Sequence, residues 1–227
     1  MKAAIAGTLG TGALLAVQIM FRDDDAYGFL AWNMFLAWIA WFLAIGLLSL
    51  VKTSRNSYQL GLTFAAWLLF LPNTFYLLTD FVHPVYRYDS TTKHVADVFS
   101  ANPDAANIMF DVTLIAAATW TTWLLGITSL RYMHGWLKTK LSAAYSAAVI
   151  NVIILASSFG IFLGRIPRWN SWSTVDNSFG LVEDVYSIAT QPFDNGQAYA
   201  FTAMFFVMTS MVYWSVNVLA PVKKVTR

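Results

Sequence analysis

The chain has 227 residues, of which 58% are hydrophobic and only 11% are charged, and its mean hydropathy is +0.56. A soluble domain of this length carries about twice that charged fraction, so the composition indicates a membrane protein. The absence of cysteine excludes disulfides, thiolate metal sites and thiol catalysis. The sequence shows no internal repeat and no long linker, which predicts a single domain over residues 1–227.

Six segments are long and apolar enough to cross a bilayer, which takes about 20 residues in a helix. They predict an all-α, polytopic membrane bundle with these six transmembrane helices: Ala3–Phe21, Tyr27–Val51, Leu60–Thr79, Ala105–Leu130, Ala143–Leu163 and Ala198–Leu219.

The first segment is rich in alanine, glycine and threonine. No small-x-small cleavage site precedes Arg22, so we interpret the segment as a retained helix and not as a signal peptide. Small residues recur along it at four-residue spacing, which predicts close packing against another helix. The pairs are Ala3 with Gly7, Ala6 with Gly10, and Gly12 with Ala16.

When the chain is drawn with six spans, all the acidic residues outside the spans fall on one side of the membrane. The side with both termini and the second and fourth loops has no acidic residue. Its basic residues are Lys2, Lys52, Arg55, Arg131, Lys138, Lys140, Lys223, Lys224 and Arg227. The other side holds every acidic residue except Asp111, which lies inside the fourth span. The positive-inside rule therefore predicts a cell-membrane protein with both termini in the cytoplasm.

Two outer loops, Asp80–Asp104 and Gly164–Gln197, exceed ordinary connection lengths, and long ordered loops tend to carry function. In the second of them a set of apolar residues shares one helical face. This pattern predicts a short helix that lies on the membrane surface. The residues of that face are Leu181, Val182, Val185 and Ile188.

Polar residues of three spans fall at nearly one depth. Asn33, Asn73 and Asp111 each lie about 10 Å below the outer end of their span at a rise of about 1.5 Å per residue. An ionisable residue inside a membrane is a functional-site hypothesis by default, because its burial is costly without a partner. Arg165 or Arg168 is the expected counter-ion of Asp111. The alternative is a structural ion pair or interhelical hydrogen bonds.

The third span contains Pro72, which removes a backbone donor and should interrupt the helix. Above it, Asp80 and His83 are three residues apart and share a helical face. They predict a hydrogen-bonded pair that orients a general base, although a plain helix-end cap also fits. A weaker alternative adds His94 and Asp97 as ligands of zinc or manganese; no metal and no cofactor is otherwise expected.

A basic and aromatic cluster follows the fifth span: Arg165, Arg168, Trp169, Asn170 and Trp172. Two arginines beside two tryptophans at a membrane interface suit the phosphate or carboxylate head group of a molecule whose tail lies in the bilayer. The alternative is a belt of interfacial anchors without a ligand.

Three blocks of the sequence resemble a bacterial membrane-protein family catalogued as domain of unknown function 1361. The blocks are WNMFLAWIA at Trp32–Ala40, WLLFLPNTFYLLTDFVH at Trp67–His83, and FGIFLGRIPRWNSW at Phe159–Trp172. The resemblance implies a multi-pass membrane fold and brings no established activity, substrate or catalytic residue. The positions that match it are Asn33, Pro72, Asn73, Tyr76, Thr79, Asp80, His83, Gly164, Arg165, Arg168, Trp169, Asn170 and Trp172.

Taken together, these residues predict an outward-facing polar site that binds, and in one reading also processes, an anionic amphiphile or a lipid-linked substrate. The alternatives are a non-catalytic scaffold subunit, whose partner is another membrane protein, and a small-solute transporter. Against a transporter, the inner half shows few polar residues besides Asn151 and Asn217. Whether the protein is an enzyme stays open. Membrane lipids are expected partners, whereas scattered basic residues on short loops give no support for nucleic-acid binding.

Overall fold

The computed structural model describes residues 1–22, 26–53, 56–84, 105–169, 178–191 and 193–222. Within these ranges the chain forms helices and no strand, so the predicted all-α class is confirmed. The α-helices are α1 (Lys2–Arg22), α2 (Phe29–Thr53), α3 (Ser57–Phe70), α4 (Asn73–Tyr76), α5 (Ala105–Leu137), α6 (Ala143–Arg165), α7 (Ser178–Thr190) and α8 (Gly196–Leu219), and Leu77–Phe81 is a 3₁₀ helix.

Six helical segments of the described chain are long and apolar enough to cross a membrane, which confirms the six predicted spans. They are Lys2–Phe21, Phe29–Thr53, Ser57–Pro84, Ala105–Leu137, Ala143–Arg165 and Gly196–Leu219. The chain is therefore a multi-pass membrane protein.

The fourth span continues to Leu137, seven residues past its predicted end at Leu130. The polar residues of this extension pair with α8. Arg131 Nη1 donates to Asn217 Oδ1 at 3.0 Å, and His134 Nδ1 lies 2.8 Å from the hydroxyl of Tyr213. Because a neighbouring helix satisfies these groups, the helix does not have to end where the apolar run ends.

The third span is interrupted at Pro72, as predicted. α3 ends at Phe70, the N–H of Leu71 donates to the carbonyl of Trp67 at 2.9 Å, and α4 begins at Asn73. The proline cannot supply the next helical donor, so a turn replaces it. A Cβ added at Gly160 of α6 would lie 2.6 Å from Cγ of Pro72, which shows that the proline packs directly on that glycine.

The described chain divides into two compact units. Unit 1 comprises Met1–Trp38 and Asn73–Gly126, and unit 2 comprises Ile39–Pro72 and Ile127–Arg227. α2 and α5 each contribute residues to both units, and the single domain predicted from the sequence stays a prediction.

Unit 1 has an apolar core that α1, α2, α5 and the 3₁₀ helix share. Its buried members are Leu15, Tyr27, Leu30, Met34, Leu77, Leu114, Ile115 and Ala118. Part of the small-residue pattern of α1 has the predicted role, because a Cβ added at Gly7 would overlap Thr121 of α5. Among the described residues, nothing lies within 4 Å of a Cβ added at Gly10 or Gly12, so the close approach seen at Gly7 is not repeated at these two glycines in that part of the chain.

In unit 2, α6 packs against α8, and the ring of Phe162 meets that of Phe201 at 5.9 Å. Trp67 of α3 is fully buried, and its Nε1–H donates to Ser129 Oγ at 2.6 Å. This indole is therefore both a packing element and a hydrogen-bond donor between α3 and α5.

The helix predicted in the last outer loop is present as α7. At about 1.5 Å per residue its 13 residues cannot cross an apolar layer about 30 Å thick. Leu181, Val185 and Ile188 are half-buried, as their shared face requires, but Val182 is exposed. The placement of α7 on the membrane surface stays a prediction.

Candidate functional site

Asp80 and His83 lie side by side at the end of the third span, in unit 1. His83 Nε2 is 3.8 Å from Asp80 Oδ1, and 36% of the imidazole is exposed against 2% of the carboxylate. This distance allows an electrostatic contact but exceeds that of a hydrogen bond. The imidazole also meets the ring of Phe29 at 4.8 Å in an edge-on arrangement. The imidazole of His83 is thus accessible, and the buried carboxylate of Asp80 lies behind it. The ring of Phe29 restricts the orientation of the imidazole.

Thr79 has a local role. Its hydroxyl donates to the carbonyl of Tyr76 at 2.8 Å, one turn earlier. Such a bond satisfies the hydroxyl within its own helix. Of the polar residues Thr79, Asp80 and His83, only His83 and Asp80 are therefore assigned to the candidate site.

Asp111 is fully buried in unit 1, and the hydroxyl of Tyr27 donates to its Oδ2 at 3.0 Å. The sequence predicted a partner among the arginines or asparagines, and the tyrosine was missed. Tyr27 lies just before α2 begins, 84 residues away along the chain, and no periodicity links the two positions. A tyrosine at a membrane interface is usually an anchor, so its sequence context gave no sign of this bond.

Asn33 and Asn73 also belong to unit 1, and both are half-buried. Their predicted convergence with Asp111 stays a prediction.

The basic and aromatic cluster belongs to unit 2, where α6 ends at Arg165. Arg165 is half-buried, and Arg168 is exposed with a φ of 63°, a left-handed conformation that is uncommon outside glycine. Trp169 holds this turn, since its backbone N–H donates to the carbonyl of Leu163 at 2.9 Å. Its indole N–H donates to Asp184 of α7 at 2.6 Å.

Trp169 was predicted to contact a head group, and this contact stays a prediction. In the structure its hydrogen bond to Asp184 connects the end of α6 to α7. The predicted contact of Arg165 or Arg168 with Asp80 or Asp111 joins residues of two units and stays a prediction. Asn170 and Trp172 lie outside the described residues.

A comparison with known protein families identifies the family of this chain. The model of the family described as "Protein of unknown function (DUF1361)" matches residues 32–212. The chain belongs to this family. The match includes all three sequence blocks that carry the resemblance, together with Asp80, His83, Asp111 and Arg165. No curated protein and no solved structure matches the chain.

The metal alternative is untested in this DUF1361 protein. His94 and Asp97 lie outside the described residues. Among the residues that are described, no group of three histidine, aspartate or glutamate side chains could hold a metal ion.

Sequence reasoning overlooked His134, because it lies beyond the predicted end of the fourth span. In this DUF1361 protein it is buried in unit 2, with Nδ1 2.8 Å from the hydroxyl of Tyr213 and Nε2 3.5 Å from Oγ of Ser146. On the same side, Trp214 Nε1–H donates to Asn151 Oδ1 at 3.1 Å. The half of the bundle that was predicted to be the inner one is thus more polar than expected, and these groups hydrogen-bond to one another across α5, α6 and α8.

Proposed function

We propose that the protein binds an anionic amphiphile at an outward-facing site, where Asp80 and His83 supply the polar contact. One observation carries this proposal: the accessible imidazole of His83 is backed by the buried carboxylate of Asp80 at 3.8 Å. A buried carboxylate beside an imidazole restricts its position and stabilises the doubly protonated ring, in which both ring nitrogens donate. Such a donor suits a phosphate or carboxylate oxygen.

The apolar surroundings favour an amphiphile over a free anion. Phe29 and Phe81 are only partly buried where they pack on the core of unit 1, and the ring of Phe29 touches His83. A head group at His83 would therefore border aromatic surface. An alkyl tail can occupy that surface while the head group stays at the interface.

The remaining predicted residues extend this proposal. Arg168 is exposed in a left-handed conformation, and unusual backbone conformations of this kind cluster at functional sites. Together with Arg165 it offers positive charge to an anionic group. The sequence also predicts binding roles for Asn33, Asn73, Asp111, Trp169, Asn170 and Trp172. The Asp80–His83 pair would also serve as a base if the amphiphile is processed, because a positioned imidazole can accept a proton.

A scaffold subunit is the second candidate, and specific contacts favour it. Tyr27 with Asp111 and Trp169 with Asp184 pair inside the protein, as structural residues would. A transporter has less support, because the polar groups around His134 hydrogen-bond to one another.

The test compares binding of dodecyl phosphate and of uncharged dodecanol to the purified protein. His83→Gln should weaken dodecyl phosphate binding about tenfold, because the glutamine amide can still donate but carries no charge, and charge-assisted hydrogen bonds are roughly twice as strong as neutral ones. Dodecanol binding should not change. Isothermal titration in a non-ionic detergent measures both affinities.

Thr79→Val is the matched control. Thr79 lies next to Asp80 on the 3₁₀ helix, and its hydroxyl donates to the carbonyl of Tyr76, so this variant should bind dodecyl phosphate like the wild type. If His83→Gln also binds dodecyl phosphate like the wild type, the proposed amphiphile site is wrong, and the scaffold function becomes the better supported of the two.

The outward orientation has its own test. Because the chain contains no cysteine, a cysteine introduced at Ser90 or Asn177 is the only thiol. We expect a membrane-impermeant maleimide to label both positions on intact cells, since charge segregation places both loops outside. Both positions lie outside the described residues. Labelling that requires access from the cytoplasm at either position would overturn the orientation.

A further inference from the structure

Unit 2 contains a groove of about 310 Å³ whose lining residues are all apolar. The last turns of α2 and α5, the first turns of α3 and an early turn of α6 form its walls. Leu47, Leu60, Phe64, Trp136 and Val149 are among them. All four of these helices belong to segments that are long and apolar enough to cross a membrane, so we expect the groove to lie within the apolar layer, near one end of these helices.

The same helix ends carry positive charge. Lys52 directly follows Val51 of the groove, and Lys138 directly follows Leu137. Lys138 Nζ donates to the carbonyl of Val222 at 3.2 Å, whereas Lys52 and Lys140 are exposed. The connections 52–57 and 131–142 contain no aspartate or glutamate. An apolar groove therefore ends at a basic rim.

We propose that the groove binds one acyl chain of an anionic membrane lipid, with the head group at Lys52 and Lys140. Apolar cavities do not hold water, and the apolar molecule available within a bilayer is the lipid chain. Basic residues at the membrane surface attract anionic head groups. This site uses none of the residues of the function proposed above, so either proposal can fail without the other.

Two glycines allow a matched experiment. Gly61 lines the groove, and a Cβ added there meets no atom within 4 Å, as is also true of Gly46 in α2. Gly46 belongs to unit 2 but does not line the groove. Both replacements with leucine improve helix propensity, so the folded state should tolerate either change, and only Gly61→Leu places a side chain in the groove.

The proteins are reconstituted in nanodiscs of phosphatidylglycerol and phosphatidylcholine, and lipids retained after release into detergent are identified by native mass spectrometry. The wild type and Gly46→Leu should retain one phosphatidylglycerol, and Gly61→Leu should lose it. Lys52→Gln and Lys140→Gln should each reduce the preference for phosphatidylglycerol about fivefold, the effect of one basic residue at an anionic surface. Equal retention by Gly61→Leu and Gly46→Leu would overturn the proposal.

A measurement on the wild type removes any dependence on variant folding. Phosphatidylglycerol with a diazirine on one acyl chain is activated by light, and the modified peptides are mapped. Modification concentrated in the peptides that contain Leu60–Phe64 and Met133–Leu137 supports the groove. Modification spread evenly over the spans identifies only bulk lipid contact and contradicts the proposal.

Discussion

Trp67→Ala is expected to destabilise the protein by about 3–5 kcal/mol, the usual cost of removing a large buried aromatic side chain. Trp67 has no exposed surface, and its N–H donates to Ser129 at 2.6 Å. The substitution removes the packing of the whole indole and leaves a cavity that the rigid spans can fill only in part. A large drop in the thermal unfolding temperature of the detergent-solubilised protein should report this loss.

Two further variants separate packing from hydrogen bonding. Ser129→Ala leaves the buried indole N–H without an acceptor, which should cost about 1–3 kcal/mol while the packing stays. Trp120→Ala is the control, because 67% of Trp120 is exposed in the described structure and its removal opens no cavity. A Trp67→Ala protein as stable as Trp120→Ala would show that the indole does not hold α3 in place.

The spans could be predicted from the sequence because the bilayer itself imposes the rule. A helix that crosses it must satisfy its own backbone and present apolar side chains, so hydropathy alone reports each span. The rule weakens where a span leaves the apolar layer. Arg131 and His134 look like the start of a loop by hydropathy, yet Asn217 and Tyr213 on α8 provide partners for them, and α5 continues.

The position of a residue along its span could also be derived from the sequence, but the rotation of the helix about its own axis could not. The hydropathy pattern correctly placed Asp111 inside a span, and in the structure its side chain is completely buried. Its partner Tyr27 depends on how α2 and α5 are turned towards each other, which one sequence does not encode in any local pattern. The same limitation applies to Trp169, whose bond to Asp184 links two segments predicted separately.

Glycine packing gives a second example of this limitation. The spacing along α1 made Gly7, Gly10 and Gly12 equivalent, but within the described part of the chain Gly7 alone of the three packs against a neighbouring helix. A Cβ added at Gly126 of α5 would overlap Thr74 and Phe75, and Gly126 continues a four-residue spacing with Thr122 and Ala118, just as Gly10 and Gly12 stand in such pairs without a close neighbour among the described residues. Spacing identifies residues that permit close approach, while the rotation of each helix decides which of them use it.

The bond between Tyr27 and Asp111 leads to the second large effect. Tyr27→Phe removes a donor from a buried carboxylate, and a hydrogen bond to a charged group contributes about 1.5–3 kcal/mol. Asp111→Leu strands the tyrosine hydroxyl and should cost about 1–3 kcal/mol. In the double variant neither polar group remains at this bond, so its loss of stability should be smaller than the sum of the two single losses.

A double-mutant cycle measured by thermal or denaturant unfolding gives the coupling directly, which for groups in contact amounts to about 0.5–3 kcal/mol. Asp111→Asn completes the argument, because its amide oxygen can still accept from Tyr27 although the charge is gone. If Asp111 serves only the fold, this variant should keep most of the stability and bind dodecyl phosphate like the wild type. If it serves the proposed site, binding should change while the unfolding temperature does not. Purely additive losses in the cycle would contradict the Tyr27–Asp111 bond itself.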